Sequence, residues 1–108
     1  MKILDMLVTK KKIGYDFVVK YKEEGQERLV EAKGTDEKLT KKKKWSNFCF
    51  ITDNEYNVMR KNKNYWIYLI NNKTGEIVKQ IPRKDILKLK PQEKKYWEIT
   101  LTKYLKNE

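Results

Sequence analysis

The sequence contains no histidine and only one cysteine, Cys49, in 108 residues. The first absence excludes Ser-His-Asp triads, histidine acid–base catalysis and zinc sites of the usual Cys/His kind. The second excludes an intrachain disulfide and fits an intracellular, cytoplasmic setting. With no histidine to act as its base, Cys49 reads as a small core residue in an apolar run, not as a nucleophile. Long hydrophobic runs are missing too. Nothing approaches the roughly 20 apolar residues that span a bilayer, and Met1–Val8 is short and carries Asp5, unlike a signal peptide. Proline (2) and glycine (4) are scarce. With no internal repeat and no Pro/Gly/Ser-rich linker, one domain over residues 1–108 is expected.

Acid is the minority charge: 15 Asp+Glu stand against 26 Lys+Arg, a net +11 with a pI near 9.6. An anionic partner follows, with nucleic acid first, an anionic membrane surface second and plain solubility third. Charged residues make up 38% of the chain, against roughly 25% in an average protein. Three Trp, seven Tyr and three Phe set in alternating runs nevertheless argue for a folded chain. Any hard catalysis must therefore use carboxylates, lysine and an oxygen-loving metal.

The stretch with most chemical content is 27–35, Glu-Arg-Leu-Val-Glu-Ala-Lys-Gly-Thr. It reads as a strand, on which side chains two apart share a face about 6.6 Å apart along the axis. Glu31 and Lys33 then project together, with Ala32 on the other face. A carboxylate that can hold a divalent cation, beside an ammonium that can orient water or stabilise phosphate charge, suits phosphodiester chemistry. From spacing alone a pair of solvated strand charges is the commoner reading; Asp36-x-Lys38 and Glu93-x-Lys95 have the same pattern. The setting of Glu31, after the apolar Leu29-Val30 and before Gly34, separates it from those two.

Upstream, residues 2–8 have helix-like spacing but fit an edge strand equally well. In 13–21, Ile13, Tyr15, Phe17, Val19 and Tyr21 alternate on one face of an expected strand, with Asp16 on the other. Residues 22–26 form a hairpin turn in which Gly25 is expected to supply a positive φ. The hairpin pairs its strands antiparallel and brings Asp16 towards Glu31 and Lys33. Asp is unfavourable in strands and needs a reason to be there.

Residues 36–46 hold Lys38 and Lys41–Lys44 and read as a basic loop; Trp45 beside them could stack on a base. Residues 47–52 read as a buried strand. Thr52 and Glu55 match a capping box for a helix to about Lys63, with Tyr56 and Met59 inward and Arg60, Lys61 and Lys63 outward. A buried strand at 65–70 turns through 71–75 into a strand at 76–81. Pro82 opens a short helix, Arg83 to Lys90, which Pro91 ends. A last strand, 96–102, points Trp97, Ile99 and Leu101 inward, and 103–108 reads as a frayed tail. The expected fold is an α/β (α+β) sandwich with a mixed central sheet and flanking helices.

Asp16 on one strand, Glu31-x-Lys33 on its hairpin partner, then a strand and a helix: this order resembles the PD-(D/E)xK nuclease superfamily, with its restriction-endonuclease-like core. More closely, the chain resembles the nuclease-like domain first named from the C-terminus of plant NO VEIN proteins, which occurs in bacterial and archaeal restriction and defence proteins. The matching pieces are Gly14-Tyr15-Asp16, Glu31-Ala32-Lys33-Gly34-Thr35, the run from Phe50 to Tyr56, Tyr65-Trp66-Ile67-Tyr68 and Pro91. The resemblance implies that Asp16 and Glu31, helped by the Ala32 carbonyl, ligate Mg²⁺ or Mn²⁺, and that Lys33 orients the attacking water. Such domains begin with a longer helix, for which only residues 1–8 remain. That short front fits a fragment of a larger protein, a small viral or mobile-element nuclease, or a domain that binds DNA without cutting.

The expectation is therefore a metal-dependent DNA endonuclease of a defence, restriction or mobile-element system. The alternative is a catalytically inactive nuclease-fold module that binds nucleic acid or a protein partner. Lys10, Lys11, Lys12, Lys41, Lys42, Lys43, Lys44 and Trp45 are the expected nucleic-acid contacts. A chain this small has little room for both a reading surface and an active site, so a homodimer or a partner subunit fits either function.

Overall fold

The computed structural model describes residues 3–8, 13–35, 48–93, 97–101 and 104. Its strands are β1 (Ile3–Val8), β2 (Phe17–Tyr21), β3 (Arg28–Thr35), β4 (Phe48–Ile51), β5 (Tyr65–Asn71), β6 (Ile77–Pro82), β7 (Gln92–Glu93) and β8 (Trp97–Thr100). Helix α1 (Asp53–Lys61) lies between β4 and β5, and α2 (Arg83–Lys88) follows β6. Five strands form a mixed sheet in the order β1-β2-β3-β5-β6, and the other three form a second sheet, β4-β8-β7. The α+β sandwich is thus observed, with one difference: the strands at 48–51 and 97–100 leave the central sheet and pair with each other. The segment 2–8, open between helix and strand in the sequence, has its described residues Ile3–Val8 in an edge strand antiparallel to β2.

β5 lies at the centre of this arrangement. Its run Tyr-Trp-Ile-Tyr-Leu-Ile-Asn is apolar on both faces, as a strand covered on both sides requires. It pairs parallel with β3 and antiparallel with β6. Tyr65, Ile67 and Leu69 face a core shared with Cys49, Ile51, Met59, Ile81, Ile86, Ile99 and Leu101, to which both sheets and both helices contribute. Full burial of each such aliphatic side chain contributes roughly 1.5–3 kcal/mol. The alternate residues Trp66, Tyr68 and Ile70 belong to a second cluster with Phe17, Val19, Tyr21 and Val30.

Within that second cluster lies a buried charge. The Arg28 guanidinium stacks 3.6 Å from the Trp66 ring and 4.5 Å from the Tyr21 ring. It donates to Glu24, to the Tyr68 hydroxyl and to Gln80, while the Tyr21 and Tyr68 hydroxyls share a hydrogen bond of 2.7 Å. Burial works against the charge, and the Glu24 and Tyr68 hydrogen bonds more than offset it, so the Arg28 pKa is raised.

Several sequence expectations change in detail. The strand expected over 13–21 begins only at Phe17. Gly14 has φ 97°, a left-handed conformation, which breaks the alternation. Tyr15 then packs against the larger core while Phe17 packs against the smaller, and Ile13 is 43% exposed. Gly25 does not supply a positive φ; among the described glycines Gly14 and Gly75 do. The turn from Tyr21 to Arg28 is long enough to reverse without it, starting with a Glu24 N–H to Tyr21 carbonyl bond. Helix α1 ends at Lys61, where Asn62 is extended and its side-chain amide donates to the Val58 carbonyl. Strand β4 is buried on one face only, because Phe50 is 48% exposed. Helix α2 ends at Lys88, and Lys90 adopts φ 53° ahead of Pro91. The basic loop at 36–46 lies outside the described residues, as does the tail at 103–108 apart from Tyr104.

Candidate active site

The backbone places Asp16 first. Its N–H donates to the Val30 carbonyl at 2.8 Å, tying the bend before β2 to β3. Its carboxylate Oδ2 accepts the Ala32 N–H at 2.9 Å, so Asp16 is held against the segment that carries Glu31 and Lys33. That contact gives a physical reason for an Asp where a strand former was expected.

Glu31 and Lys33 project to the face of β3 that carries Leu29, towards the larger core. Lys33 Nζ lies 3.3 Å from Glu31 Oε2 and 3.3 Å from Glu55 Oε1. The solvated-pair reading of the Glu31-x-Lys33 spacing does not hold, since Glu31 is only 4% exposed. Burial raises its pKa, the Lys33 charge opposes the shift, and the Glu55 and Asp16 charges reinforce it, with a Glu55 hydrogen bond acting the same way; the result is a pKa of about 8. Lys33 moves in the complementary sense: burial would lower its pKa, but Glu31 and Glu55 together raise it. Lys33 is thus a firmly protonated ammonium shared between two carboxyl groups.

Glu55 is the residue that sequence reasoning placed in the helix cap and not in the site. It sits at the third position of α1, where the Glu55 N–H donates to Thr52 Oγ1 and the Thr52 N–H donates to Glu55 Oε1 at 2.9 Å. The same Oε1 receives Lys33. The capping box was legible, but not the fact that α1 starts beside β3.

The site has a half-apolar wall. The Cys49 thiol is pushed up to about 12, by burial first, with Lys33 opposing and Glu55 and Glu31 adding. The Tyr65 phenol is raised by burial and then by Glu31, Glu55 and Asp16. Cys49 is buried, as a small core residue should be. At the start of α1, Tyr56 stacks on Trp97 with centroids 3.6 Å apart, and the Trp97 indole N–H donates to Asp53.

The donor chemistry fits a hard divalent cation. The Asp16 carboxylate accepts the Ala32 N–H, and the Glu31 and Glu55 carboxyl groups both contact Lys33; carboxylate and carbonyl oxygens with retained waters are what Mg²⁺ takes. Among the described residues no group of three or more His, Cys, Asp or Glu side chains is placed to hold a metal ion, so an ion bound by fewer side chains would depend on water and substrate oxygens as well.

Of the other expected contacts, Lys10–Lys12, Lys41–Lys44 and Trp45 lie outside the described residues. Arg60, Lys61 and Lys63 are exposed, as expected of an outward face. Among the described residues no helix is long and apolar enough to cross a membrane.

The family model described as Protein NO VEIN, C-terminal, matches residues 5–83, most of the chain and all three of Asp16, Glu31 and Lys33. The chain belongs to this family. No curated protein and no solved structure gives a significant match. The match to the NO VEIN C-terminal domain ends within α2, so β7 and β8 lie beyond it. They are nonetheless integral to this chain's fold: β8 pairs with β4 and supplies Ile99 to the core and Trp97 to the stack on α1.

Proposed function

We propose that this NO VEIN C-terminal domain is a metal-dependent nucleic-acid phosphodiesterase, a DNA endonuclease of a restriction, defence or mobile-element system. The observation that supports the reading is the bond from the Ala32 N–H to the Asp16 carboxylate, made between Glu31 and its ion-pair partner Lys33. Asp16, Glu31 and the Ala32 carbonyl would hold Mg²⁺ or Mn²⁺. Such an ion supplies Lewis-acid polarisation of the scissile phosphodiester.

The chain's own residues supply the rest. Asp16 presents hard oxygens from the bend before β2 and Glu31 from β3, with Asp16 fixed by the Ala32 and Val30 backbone contacts. Lys33 stays charged, so its role is to donate to the attacking water or to a phosphate oxygen as negative charge develops, not to accept a proton. Glu55 tethers that ammonium, and the capping box fixes Glu55. The net charge of +11 supplies sequence-independent attraction to the phosphate backbone. A second copy or a partner subunit would enlarge the DNA-reading surface.

Cleavage of plasmid and single-stranded DNA in Mg²⁺ or Mn²⁺ tests the reading, with Glu31→Gln and Lys33→Ala beside the wild type. Both variants should lose activity, Lys33→Ala by about 10²–10³-fold, and only Glu31→Gln should also lose Mn²⁺ affinity. Equal cleavage by all three proteins would refute the assignment. Salt-dependent DNA binding without cleavage or metal binding would replace it with the inactive binding module.

A further inference from the structure

The Asp16 carboxylate is held by more than its own contacts. Two residues earlier, the Gly14 carbonyl accepts a hydrogen bond of 2.8 Å from the Tyr65 hydroxyl, a fully buried group on β5. Gly14 itself is pressed against α1: a Cβ there would lie 2.5 Å from Val58 Cγ2 and 3.3 Å from the Asn54 carbonyl. Its φ of 97° is one that other residues rarely adopt. The bend at 13–16 is therefore pinned at Gly14 by β5 and α1, and at Asp16 by the Val30 carbonyl and the Ala32 N–H. Tyr65 also neighbours the site directly, since the charges of Glu31, Glu55 and Asp16 all act on it.

From this geometry we infer that Tyr65 is a positioning residue for the metal site, which acts through Gly14 to set the Asp16 carboxylate against β3. The inference rests on the metal-binding reading of Asp16 and Glu31. Tyr65 is fully buried, with its hydroxyl proton donated to the Gly14 carbonyl. It fixes the backbone from which a ligand is presented, and partners of this kind typically account for about 10–100-fold in metal affinity when removed.

The same strand offers a matched control. Tyr68 is also buried on β5 and also hydrogen-bonded through its hydroxyl, but to Tyr21 and Arg28 on the opposite face of the sheet. Tyr65→Phe and Tyr68→Phe each delete one buried phenolic oxygen from one strand, and only the first touches the Asp16 bend.

The experiment is calorimetric titration of the full chain with Mn²⁺ alone, alongside thermal melts, for wild type, Tyr65→Phe, Tyr68→Phe, Asp16→Asn and the Tyr65→Phe/Asp16→Asn double variant. The expected result is an affinity loss of about 10–100-fold in Tyr65→Phe, with Tyr68→Phe within about twofold of wild type at comparable melting temperature. In the Asp16→Asn background, Tyr65→Phe should cause no further loss, because the carboxylate it positions has gone. Should Tyr65→Phe not fold, Gly14→Ala in a Val58→Ala background disturbs the same bend with the tyrosine intact, and the same loss is expected. Wild-type affinity in Tyr65→Phe, equal losses in both tyrosine variants, or full additivity with Asp16→Asn would overturn the inference while leaving the metal site standing. Failure of the wild type itself to bind Mn²⁺ would overturn the metal site and the inference together.

Discussion

Replacing Glu31 by Gln should stabilise the metal-free protein, and do so more strongly as pH rises. An acid whose folded pKa is raised from 4.5 to about 8 keeps a proton that the unfolded chain gives up. Below pH 4.5 both states are protonated and Glu31 costs nothing. Between 4.5 and about 8 the folded state binds the extra proton, so stability falls as pH rises; above about 8 both states are ionised and the loss is complete. Each pKa unit corresponds to about 1.4 kcal/mol, which sets a ceiling of roughly 5 kcal/mol. Glu31 shares its charge environment with Glu55, Asp16 and Lys33, so about 2–3 kcal/mol of that is the expected measured effect.

Gln keeps the shape and cannot ionise, so the variant lacks this slope. At about 4–8 °C per kcal/mol for a domain near this size, its melting temperature should exceed wild type by roughly 10 °C or more at pH 8, and by far less at pH 5. The assay is thermal unfolding by circular dichroism in EDTA at constant ionic strength, every half unit from pH 5 to 9. Glu31 dominates the difference over this range, with smaller contributions from Lys33, Cys49 and Tyr65, whose pKa values its charge shifts. A difference that stays flat with pH, or a wild type that gains on the variant as pH rises, would show that Lys33 holds Glu31 ionised and that burial does not dominate.

Two further outcomes concern the supports of the site and of the fold. Thr52→Ala removes half of the capping box and should cost about 1 kcal/mol by denaturant unfolding; because Glu55 then loses part of its anchor, it should also lower cleavage, whereas Thr52→Ser should leave both unchanged. Arg28→Lys abolishes the stacking between Trp66 and Tyr21 and the fork to Glu24. It should cost about 3 kcal/mol without altering Mn²⁺ affinity, and a shift in that affinity would mean the two faces of the sheet are coupled.

Much of this was legible in the sequence because local rules and tertiary structure agree. The two-sided apolar run 65–70 announced a covered strand, the Thr52–Glu55 pair announced the start of α1, and the hairpin at 22–26 brought Asp16 to the level of Ala32. Pairing that depends on distant partners was not legible. β4 and β8 are nearly fifty residues apart, and alternation within each says which face is apolar, not which sheet it joins. Gly14 misled for a similar reason. Inside an alternating pattern a glycine reads as a tolerated strand residue, and only the approach of Val58 and the bond from Tyr65 reveal a bend. Arg28 gave no signal either, because its counter-charges and rings come from Glu24, Tyr21 and Trp66 on three separate segments.

The charge distribution joins the two halves of the proposed chemistry. The chain as a whole carries +11, yet around Lys33 it gathers Asp16, Glu31 and Glu55, three acids to one base. A basic protein gains nothing in solubility from confining acids where burial drives one of them to hold its proton. The arrangement makes sense if the surface attracts a polyanion while the acidic cluster takes a small cation. Under that reading Asp16 and Glu31 would hold a divalent ion that polarises the phosphodiester, while the Lys33 ammonium would offset negative charge as it develops. Without a cation the acidic side chains leave a phosphate only Lys33 to meet, and without Lys33 the cluster loses its positive group. The bend pinned at Gly14 holds Asp16 against Ala32, and the burial that raises the Glu31 pKa is the cost of keeping that carboxyl beside Lys33.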